Sequence, residues 1–434
     1  MVVRIDPVEG PLEGFVPIPY SKSVSARQIL IGLHSGGPFT IAGLSQADDT
    51  QKLIQIAKAC GYTVEQEGEK WTFLPGRLAL PPHLAVGEGG TTLRFILPWL
   101  AGLPGKTTLY LGGRLSQRPI TPLIQALAEA SAHIEAVGHT LEITGNPDWN
   151  PKRLQIDARQ SGQFLSALLL MAPRLEVGST IRETSGEPAT LSYVEGLTLT
   201  LLRDAEHYWE RPAAPGEWVL VRGGKSISSW AAPYHARGEV DWSGAGYFWG
   251  WAMGTAARLA LPLSLGSSQP EKTFWGKGPW PVKVEPLPWG LRLISSGERP
   301  PAWEGDLSAV PDTFPTLAVL AALSAESWSF TGLRTLPHKE SHRLLVMQTE
   351  LAKIGARIEW SGDVCRVFPP PKLPEERPLS FHAHGDHRVA MALSLLASRL
   401  KVPLYIREAE VVAKSFPGYW AALRDVGILL TFEE

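Results

Sequence analysis

The chain has 434 residues, more than one ordinary hydrophobic core accommodates, so we expect two domains. Hydrophobic residues at 44% and charged residues at 19% predict a soluble globular protein, and a net charge of −2 gives no reason to expect a nucleic-acid partner. The opening segment MVVRIDPVEG lacks the apolar core of a signal peptide, and no uncharged apolar run reaches about 18 residues. We therefore expect a cytoplasmic protein that does not enter a membrane.

Six polar or small segments, at intervals of roughly 70 residues, each open directly into an apolar run of helical character. In chain order they are Ser21-Lys22-Ser23, GGTT at 89–92, Ser161-Gly162-Gln163, SGAG at 243–246, Pro311-Asp312-Thr313 and GDHR at 385–388. A helix N-terminus favours phosphate or carboxylate, because its backbone N–H groups are free and its dipole is positive. The repeat therefore predicts a protein built around a strongly anionic ligand.

Most of these openings are followed by a second helix, a strand, a turn and another strand. Residues 53–75 have this order, with Gly61 ending the helix and alternating residues after it. Residues 123–145 and 343–368 repeat it, whereas the fourth unit, near 276–294, has the strand pair without a clear second helix. We predict an α/β protein of six β-α-β-α-β-β units, three to a domain. The alternative is an ordinary doubly wound α/β protein.

Cofactor and metal motifs are absent from the sequence. The segment LAGLPGKT at 100–107 resembles a phosphate-binding loop, but Leu100 stands at the first glycine position and the segment precedes a strand-like run. His382, His384 and His387 cluster without a second group of ligands, and Cys60 and Cys365 lie in apolar contexts typical of buried thiols. We therefore expect no cofactor and no metal.

The segment Ser21–Arg27 places an ammonium, hydroxyls and a guanidinium at the start of one helix. This combination resembles the KSxSxR signature of the 5-enolpyruvylshikimate-3-phosphate (EPSP) synthase family. Further segments match that family's motifs in the same order and spacing: GEGGTTLR at 87–94, QRPI at 117–120, SGQFLSALL at 161–169, Tyr193-Val194-Glu195, Pro311-Asp312, KESHR at 339–343, DHRVAM at 386–391 and AKSFP at 413–417. The series of KESHR, DHRVAM and AKSFP is highly specific. The resemblance as a whole runs from about residue 14 to residue 423.

The resemblance implies a fold of two domains, each of three repeats, with helix N-termini converging on the cleft between them. It implies that the chain crosses between the domains near Tyr20 and again near Arg237. Residues 21–236 would form the N-terminal domain, on the side of the acceptor substrate. Residues 1–20 and 237–434 would form the C-terminal domain.

The resemblance also implies an enzyme that transfers the enolpyruvyl group of phosphoenolpyruvate to the 5-hydroxyl of shikimate 3-phosphate, through a tetrahedral ketal, with release of phosphate. This reaction belongs to chorismate and aromatic amino acid biosynthesis. The two substrates carry phosphates and carboxylates that require many cations, for which arginine and lysine are suited. The chain supplies Lys22, Arg94, Arg118, Arg343, Arg388 and Lys414. We expect small-molecule substrates and a monomer.

Site residues are carried over from the same motifs. Those expected at phosphoenolpyruvate are Lys22, Gly90, Arg118, Gln163, Arg343, Arg388 and Lys414. Those expected at shikimate 3-phosphate are Lys22, Ser23, Arg27, Ser161, Gln163, Thr190, Tyr193, Asp312 and Lys339. Those expected in catalysis are Lys22, Asp312 as the base for the hydroxyl proton, Glu340 for proton exchange at C3, and His387 in support.

The chain also departs from the family pattern. Glu88 stands in place of Asn, Gly162 in place of Ser or Ala, and His342 in place of Asp. The segment TLSY at 190–193 replaces SKPY, Tyr20 replaces a Gly, and 140–155, 205–235 and 262–305 match nothing in the family. These differences bear more on the acceptor than on phosphoenolpyruvate.

Three alternatives follow from these departures. One is an enolpyruvyl transferase of specialised metabolism that acts on another cyclic phosphorylated acceptor. A second is a UDP-N-acetylglucosamine enolpyruvyl transferase, but the segment GGRLSQRP at 112–119 lacks that enzyme's loop Cys or Asp. A third is an inactive anion-binding relative, which predicts the loss of Lys22, Asp312 or Glu340, and all three are present.

Overall fold

The computed structural model describes residues 1–212, 216–223 and 233–433. The chain divides into two compact units, which we call the middle unit (Lys22–Glu239) and the terminal unit (Met1–Ser21 with Val240–Glu434). The sequence-based boundaries, after residues 20 and 236, lie close to these limits, and we propose that the two units are the domains. Parts of the unmatched segment 205–235 lie outside the described residues.

The described part of the middle unit contains three four-stranded sheets, with strand orders β14-β3-β5-β4, β6-β7-β9-β8 and β10-β11-β13-β12. The strands are β3 (Phe39–Ala42), β4 (Tyr62–Glu67), β5 (Lys70–Pro75), β6 (His83–Gly87), β7 (Gly105–Leu111), β8 (His133–Val137), β9 (Thr140–Gly145), β10 (Arg153–Ile156), β11 (Thr180–Glu183), β12 (Tyr208–Glu210), β13 (Glu217–Arg222) and β14 (Tyr234–Arg237). The helices are α1 (Lys22–Ser35), α2 (Asp48–Ala59), α3 (Gly90–Ala101), α4 (Thr121–Glu129), α5 (Gly162–Leu169) and α6 (Leu199–Asp204).

The described part of the terminal unit also contains three four-stranded sheets, with orders β22-β23-β1-β24, β16-β17-β15-β2 and β18-β19-β21-β20. The strands are β1 (Val2–Ile5), β2 (Leu12–Phe15), β15 (Ala256–Leu261), β16 (Lys283–Leu287), β17 (Gly290–Ser296), β18 (Glu304–Asp306), β19 (Trp328–Thr331), β20 (Arg357–Ser361), β21 (Val364–Phe368), β22 (Leu379–His382), β23 (Leu404–Arg407) and β24 (Leu430–Glu433). The helices are α7 (Trp242–Gly254), α8 (Glu271–Lys277), α9 (Phe314–Leu323), α10 (Arg343–Leu351), α11 (His387–Ser394) and α12 (Tyr419–Asp425).

All six of these sheets share one pairing pattern. In the sheet of β6–β9, for example, Leu84 of β6 pairs with Leu109 of the parallel strand β7. Leu109 in turn pairs with Leu141 of the antiparallel strand β9. The predicted α/β architecture of β-α-β-α-β-β units is confirmed, and an ordinary doubly wound sheet is not what the chain forms. Three sheets take one strand from a distant part of the chain: β14 completes the sheet of β3, β2 that of β15, and β1 that of β23.

The first helix of each repeat is largely buried. α3 packs against α1 and α5, and α9 packs against α7 and α11. Helices that are apolar almost all round, such as α9, belong in a protein interior rather than on its surface. Each fully buried Leu, Ile or Phe on these helices contributes about 1.5–3 kcal/mol, so the helices are fixed scaffolds for the residues at their first turns.

The fourth repeat differs from its sequence-based prediction. The sequence predicts a strand pair without a clear second helix near 276–294, but α8 lies before β16 and β17. The helix has seven residues, and the neighbouring Pro270 and Gly278 hide it from periodicity arguments. Its Trp275 is buried against α7, at Gly246.

None of the helices within the described ranges is both long and apolar enough to cross a membrane.

The contact between Trp275 and Gly246 predicts a stability difference between two helical glycines. A Cβ at Gly246 would lie 2.5 Å from Nε1 of Trp275, whereas a Cβ at Gly276 of α8 meets nothing within 4 Å. Alanine favours a helix by about 1 kcal/mol over glycine, but overpacking a core costs about 1–3 kcal/mol. We expect Gly246→Ala to lower the thermal midpoint and its control, Gly276→Ala, to leave it unchanged or raise it. Midpoints that shift equally would contradict the packing argument.

Candidate active site

The predicted site residues fall into two groups, one in each unit, and each group is described within its own unit. The terminal unit holds Asp312, Lys339, Glu340, Arg343, His387, Arg388 and Lys414. The middle unit holds Lys22, Ser23, Arg27, Gly90, Arg94, Arg118, Ser161, Gln163, Thr190 and Tyr193.

In the terminal unit, Asp312 is the centre of a cluster of cations. It lies in the 3₁₀ turn that leads into α9, and its carboxylate lies 3.0 Å from Nζ of Lys339, 2.7 Å from Nη1 of Arg343 and 3.3 Å from Nη2 of Arg388. Burial raises the pKa of Asp312, but Lys339, Arg388 and Arg343 outweigh it and hold that pKa well below its usual range. Asp312 is therefore ionised in this site.

Arg343 joins this cluster to a second carboxylate. Its Nε lies 2.8 Å from Oδ2 of Asp386 and its Nη2 lies 3.2 Å from Oδ1, a two-pronged contact that fixes the guanidinium plane. Asp386 is fully buried, caps α11 through the N–H of Arg388, and accepts a hydrogen bond from Ser341. The sequence motif contained Asp386, but we assigned it no role. The structure makes it the partner that orients Arg343.

Glu340 and His387 form a pair beside this network. Oε2 of Glu340 lies 2.8 Å from Nδ1 of His387, whose side chain is almost fully buried. Glu340, Asp386 and His387 each bring one possible metal ligand within 4.8 Å of the others. Because Arg343, Ser341 and the N–H of Arg388 already bind both oxygens of Asp386, a cation there would have to displace these donors. The arrangement favours proton transfer over metal binding.

The N-terminus of α7 adds two carboxylates that the sequence analysis missed. Asp241 caps the helix through the N–H groups of Ser243 and Gly244, at 3.3 and 3.0 Å. Glu271, from α8, accepts a hydrogen bond of 2.6 Å from the Ser243 hydroxyl. Burial raises the pKa of Asp241 to about 6, with Arg388 acting against the rise and Glu271 adding to it. An Asp at the start of an apolar helical run is a recognisable cap signal, but nothing local places Glu271 beside it.

In the middle unit, Lys22 at the start of α1 forms an ion pair with Asp49 of α2, at 2.9 Å. The sequence analysis also missed Asp49, which sits in an ordinary acidic first turn. The two glycines at the start of α3 pack against these charges. A Cβ at Gly89 would lie 2.4 Å from the Asp49 carboxylate, and one at Gly90 would lie 2.5 Å from the Arg118 guanidinium. A side chain at either position would displace the charged group beside it.

Gln163 is held in one orientation by its neighbours. Its Oε1 accepts a hydrogen bond of 2.7 Å from Arg94, and its Nε2 donates to Oγ1 of Thr91 at 2.8 Å. Arg94 also donates to the Pro119 carbonyl, next to Arg118. Arg94 is buried, and burial together with Arg118 holds its pKa well below the usual range. Arg94, expected among the substrate-binding cations, contacts protein groups and links three segments of the site.

Of the residues predicted for shikimate 3-phosphate, those in the middle unit lie in the first two turns of α1, at the start of α5 and in the segment 190–193. Arg27 is buried and donates to Oγ1 of Thr198 and to the carbonyl of Ser23, at 2.8 and 2.9 Å. Ser161 caps α5, and the N–H of Tyr193 donates to the Thr190 carbonyl at 3.0 Å. The α1 group combines a helix N-terminus with a hydroxyl and a guanidinium, and the α5 group combines a helix N-terminus with hydroxyls, which suits a phosphorylated ligand.

The EPSP synthase (3-phosphoshikimate 1-carboxyvinyltransferase) family model matches residues 8–256 and 291–423. The chain belongs to this family. The 3-phosphoshikimate 1-carboxyvinyltransferase of Bacteroides fragilis (strain YCH46) is 29% identical over 429 residues, 96% of each chain. The enzyme of the same name from Methanoculleus marisnigri is 30% identical over 460 residues, covering 99% of this chain and 100% of the relative.

Solved structures share the fold of this EPSP synthase family member. EPSP synthase from Acinetobacter baumannii superimposes with a TM-score of 0.76 at 23% identity, over 99% of this chain and 100% of that one. The enolpyruvyl transferase NikO from Streptomyces tendae has a TM-score of 0.74 at 17% identity, over 99% and 98%.

Two departures from the EPSP synthase motifs compensate one another. A Cβ at Gly162 would lie 2.2 Å from the Ala189 carbonyl oxygen and 2.7 Å from Oγ1 of Thr190. Thr190 has a left-handed backbone, with φ of 51°. The Ala189 carbonyl and the Thr190 side chain therefore lie so close to α5 that only glycine fits at position 162.

Two further departures leave the local geometry intact. His342 replaces the Asp of the family motif, yet its Nδ1 accepts a hydrogen bond of 3.2 Å from the Leu345 N–H and so still caps α10. Glu88 is exposed, and its side chain lies over Gly113, where a Cβ would be 2.7 Å from Oε1.

The raised pKa of Asp241 predicts a pH-dependent stability difference. A carboxyl whose pKa rises from 3.8 to about 6 on folding binds more protons in the folded state between those values, so the wild type loses stability as pH increases through them. Asp241→Asn keeps a good helix cap without this loss. We expect the unfolding free energy of Asp241→Asn, relative to the wild type, to increase by about 2–3 kcal/mol from pH 4 to pH 7. Denaturant titration at several pH values measures it, and a constant difference would contradict the shift.

Proposed function

We propose that this chain transfers the enolpyruvyl group of phosphoenolpyruvate to the 5-hydroxyl of shikimate 3-phosphate and releases phosphate. The observation that carries the proposal is the partly buried Asp312 carboxylate with Lys339, Arg343 and Arg388 around it. The cations suit the binding of an anionic substrate, and the carboxylate among them can accept a hydrogen bond from a hydroxyl of that substrate. Membership of the EPSP synthase family and the names of the curated relatives point to the same reaction.

Two sets of residues are assigned to the two substrates. We assign phosphoenolpyruvate to Lys22, Gly90, Arg118, Gln163, Arg343, Arg388 and Lys414. We assign shikimate 3-phosphate to Lys22, Ser23, Arg27, Ser161, Gln163, Thr190, Tyr193, Asp312 and Lys339. In support, Arg343 and Gln163 are each locked by hydrogen bonds before any substrate arrives, so little ordering remains to be done on binding.

The reaction proceeds in two stages through a tetrahedral ketal. In the first, the acceptor hydroxyl loses its proton, its oxygen bonds to C2 of phosphoenolpyruvate, and C3 gains a proton to become a methyl group. In the second, C3 gives up a proton, the C2–C3 double bond forms again, and the bond from C2 to the phosphate oxygen breaks. The products are the enolpyruvyl ether and inorganic phosphate.

Asp312 is the proposed base for the acceptor hydroxyl. Its three cations hold its pKa well below the usual range, which weakens it as a base while no substrate is bound. The phosphate and carboxylate groups of the substrates offset part of that positive charge. The pKa of Asp312 then rises toward the value that a base requires, so binding and proton transfer are coupled.

Glu340 is the proposed group that exchanges the proton at C3, with His387 in support. A hydrogen bond of 2.8 Å joins the two side chains, and the side chain of His387 is more deeply buried than that of Glu340. A histidine in this place orients the carboxyl and stabilises its charge between the two stages.

Beyond the reaction, we propose that the protein acts as a cytoplasmic monomer on small-molecule substrates, without a cofactor or metal. The alternative acceptor in specialised metabolism is not favoured by the names of the curated relatives. No separate observation in the middle unit favours it either, because the altered segment 190–193 is accommodated by Gly162.

Phosphate release from phosphoenolpyruvate with different acceptors tests the function. We expect release with shikimate 3-phosphate, and none above background with unphosphorylated shikimate, quinate or UDP-N-acetylglucosamine. Faster release with one of the other acceptors would reject the proposed substrate. Formation of the enolpyruvyl ether should match phosphate release one to one.

The two carboxylates predict different kinetic losses. Glu340→Gln should reduce kcat by about 100-fold or more, with both KM values nearly unchanged, because its role belongs to the transition state. Asp312→Asn should reduce kcat and also raise KM for shikimate 3-phosphate by about tenfold, since the side chain also binds the acceptor. Glu304→Gln, at an exposed position on β18, is the control. Equal and small effects of the two site variants would contradict the assignment.

A further inference from the structure

The turn between β22 and α11 has an unusual backbone. His384 has φ of 54° and Gly385 has φ of 69°, so both residues lie in the left-handed region. This conformation costs a non-glycine residue roughly 1–2 kcal/mol, so side chains or backbone groups must hold it in place. The turn lies immediately before the residues Asp386–Arg388 of the site.

Glu350 of α10 holds one side of this turn. Its side chain is 2% exposed; Oε1 lies 2.9 Å from Nε2 of His384, and Oε2 accepts the N–H of His382 at 2.9 Å. Burial acts to raise the pKa of Glu350, but hydrogen bonds from Lys353, His384 and the His382 N–H outweigh it and lower that pKa. The buried, ionised carboxylate of Glu350 therefore binds the turn at two points, the His382 N–H and the His384 side chain.

Glu408 holds the other side. Its Oε2 accepts the N–H of Gly385 at 2.7 Å, and its own backbone is left-handed with φ of 60°. Within the turn, the N–H of His384 donates to Nδ1 of His382 at 3.0 Å, and the N–H of Asp386 donates to the Ala383 carbonyl at 3.0 Å. Every one of these contacts fixes the direction in which the turn's carbonyl groups point.

One of those carbonyls binds a site residue. The Gly385 carbonyl accepts a hydrogen bond of 2.8 Å from Nζ of Lys414, and the next residue, Asp386, orients Arg343 and caps the helix that carries Arg388. Lys414, Arg343 and Arg388 are the terminal-unit cations assigned to phosphoenolpyruvate. A shift of this turn would therefore move the partners of all three.

We propose that Glu350 is a positioning residue for phosphoenolpyruvate, acting through His384 and the 382–385 turn on Lys414 and the first turn of α11. Glu350 itself touches no reacting atom. The inference rests on the proposed function for its kinetic consequence, and on the structure alone for its effect on Lys414.

Two substitutions test the proposal. Glu350→Gln keeps the size of the side chain but removes its charge, so the contacts to His384 Nε2 and to the His382 N–H are no longer charge-assisted and become weaker. His384→Asn keeps a residue that tolerates the left-handed backbone but is too short to reach Glu350. Glu359→Gln, on the exposed face of β20 in the same unit, is the matched control.

We expect KM for phosphoenolpyruvate to rise about tenfold in Glu350→Gln and severalfold in His384→Asn, with KM for shikimate 3-phosphate within twofold of the wild type. The double variant should be no worse than the worse single variant, because both changes break the same path. Additive losses, or an equal rise in both KM values, would overturn the proposal, as would wild-type kinetics in both single variants.

A second measurement does not depend on turnover. Labelling of Lys414 by an amine-acylating reagent, followed by peptide mass spectrometry, should be at least threefold faster in both variants than in the wild type and Glu359→Gln. Unchanged labelling would overturn the proposal even if the variants lose activity. A wild type that releases no phosphate with shikimate 3-phosphate would reject the proposed function, while the labelling arm would still decide the role of Glu350. The partly exposed His384 makes His384→Asn the variant that keeps the test valid if Glu350→Gln does not fold.

Discussion

An arginine held between two carboxylates is the interaction on which the terminal unit's site depends. Arg343 begins α10, Asp312 lies at the start of α9, and Asp386 caps α11, so one guanidinium joins three helix starts. Removing one member of a buried ion pair costs about 3–5 kcal/mol, because the remaining charge is left uncompensated. These three charged side chains therefore hold the helix starts in place and also form part of the site. The middle unit uses the same principle more simply, with Lys22 paired to Asp49.

This pairing changes how the cations should be understood. A sequence rich in Lys and Arg at helix starts suggests a strongly positive site, but Asp49, Asp312 and Asp386 offset much of that charge. Within each unit, the cations can therefore bind phosphate and carboxylate groups without strong repulsion among themselves. The carboxylates also keep each guanidinium oriented, which matters more for two-pronged recognition than the total charge does.

The sequence allowed the repeats and the helix openings to be predicted, because these depend on local patterns, while the substrate-binding and catalytic residues come from motifs and stay predictions. It did not reveal Asp49 or Glu271, since each is an ordinary acidic residue whose significance comes from a neighbour distant in sequence. The role of Asp386 required the position of Arg343 in space. Helix α8 was missed because a helix of seven residues, between Pro270 and Gly278, is too short to show a periodic pattern of apolar residues. The compensation between Gly162 and Thr190 likewise depends on a close approach that only coordinates reveal.

The pairing of β3 with the distant strand β14 in the middle unit has a consequence for synthesis on the ribosome. β3 pairs on one edge with β5, which follows it closely, but its other edge waits for β14, near the end of the unit. Until residues 234–237 emerge, that edge exposes unpaired N–H and C=O groups, which are a template for association with other chains. Pairing over such a long separation is also slow, because the loop must close before the contacts form. The middle unit is therefore complete only when nearly all of it has been made, and a nascent chain stopped before β14 would be prone to aggregate.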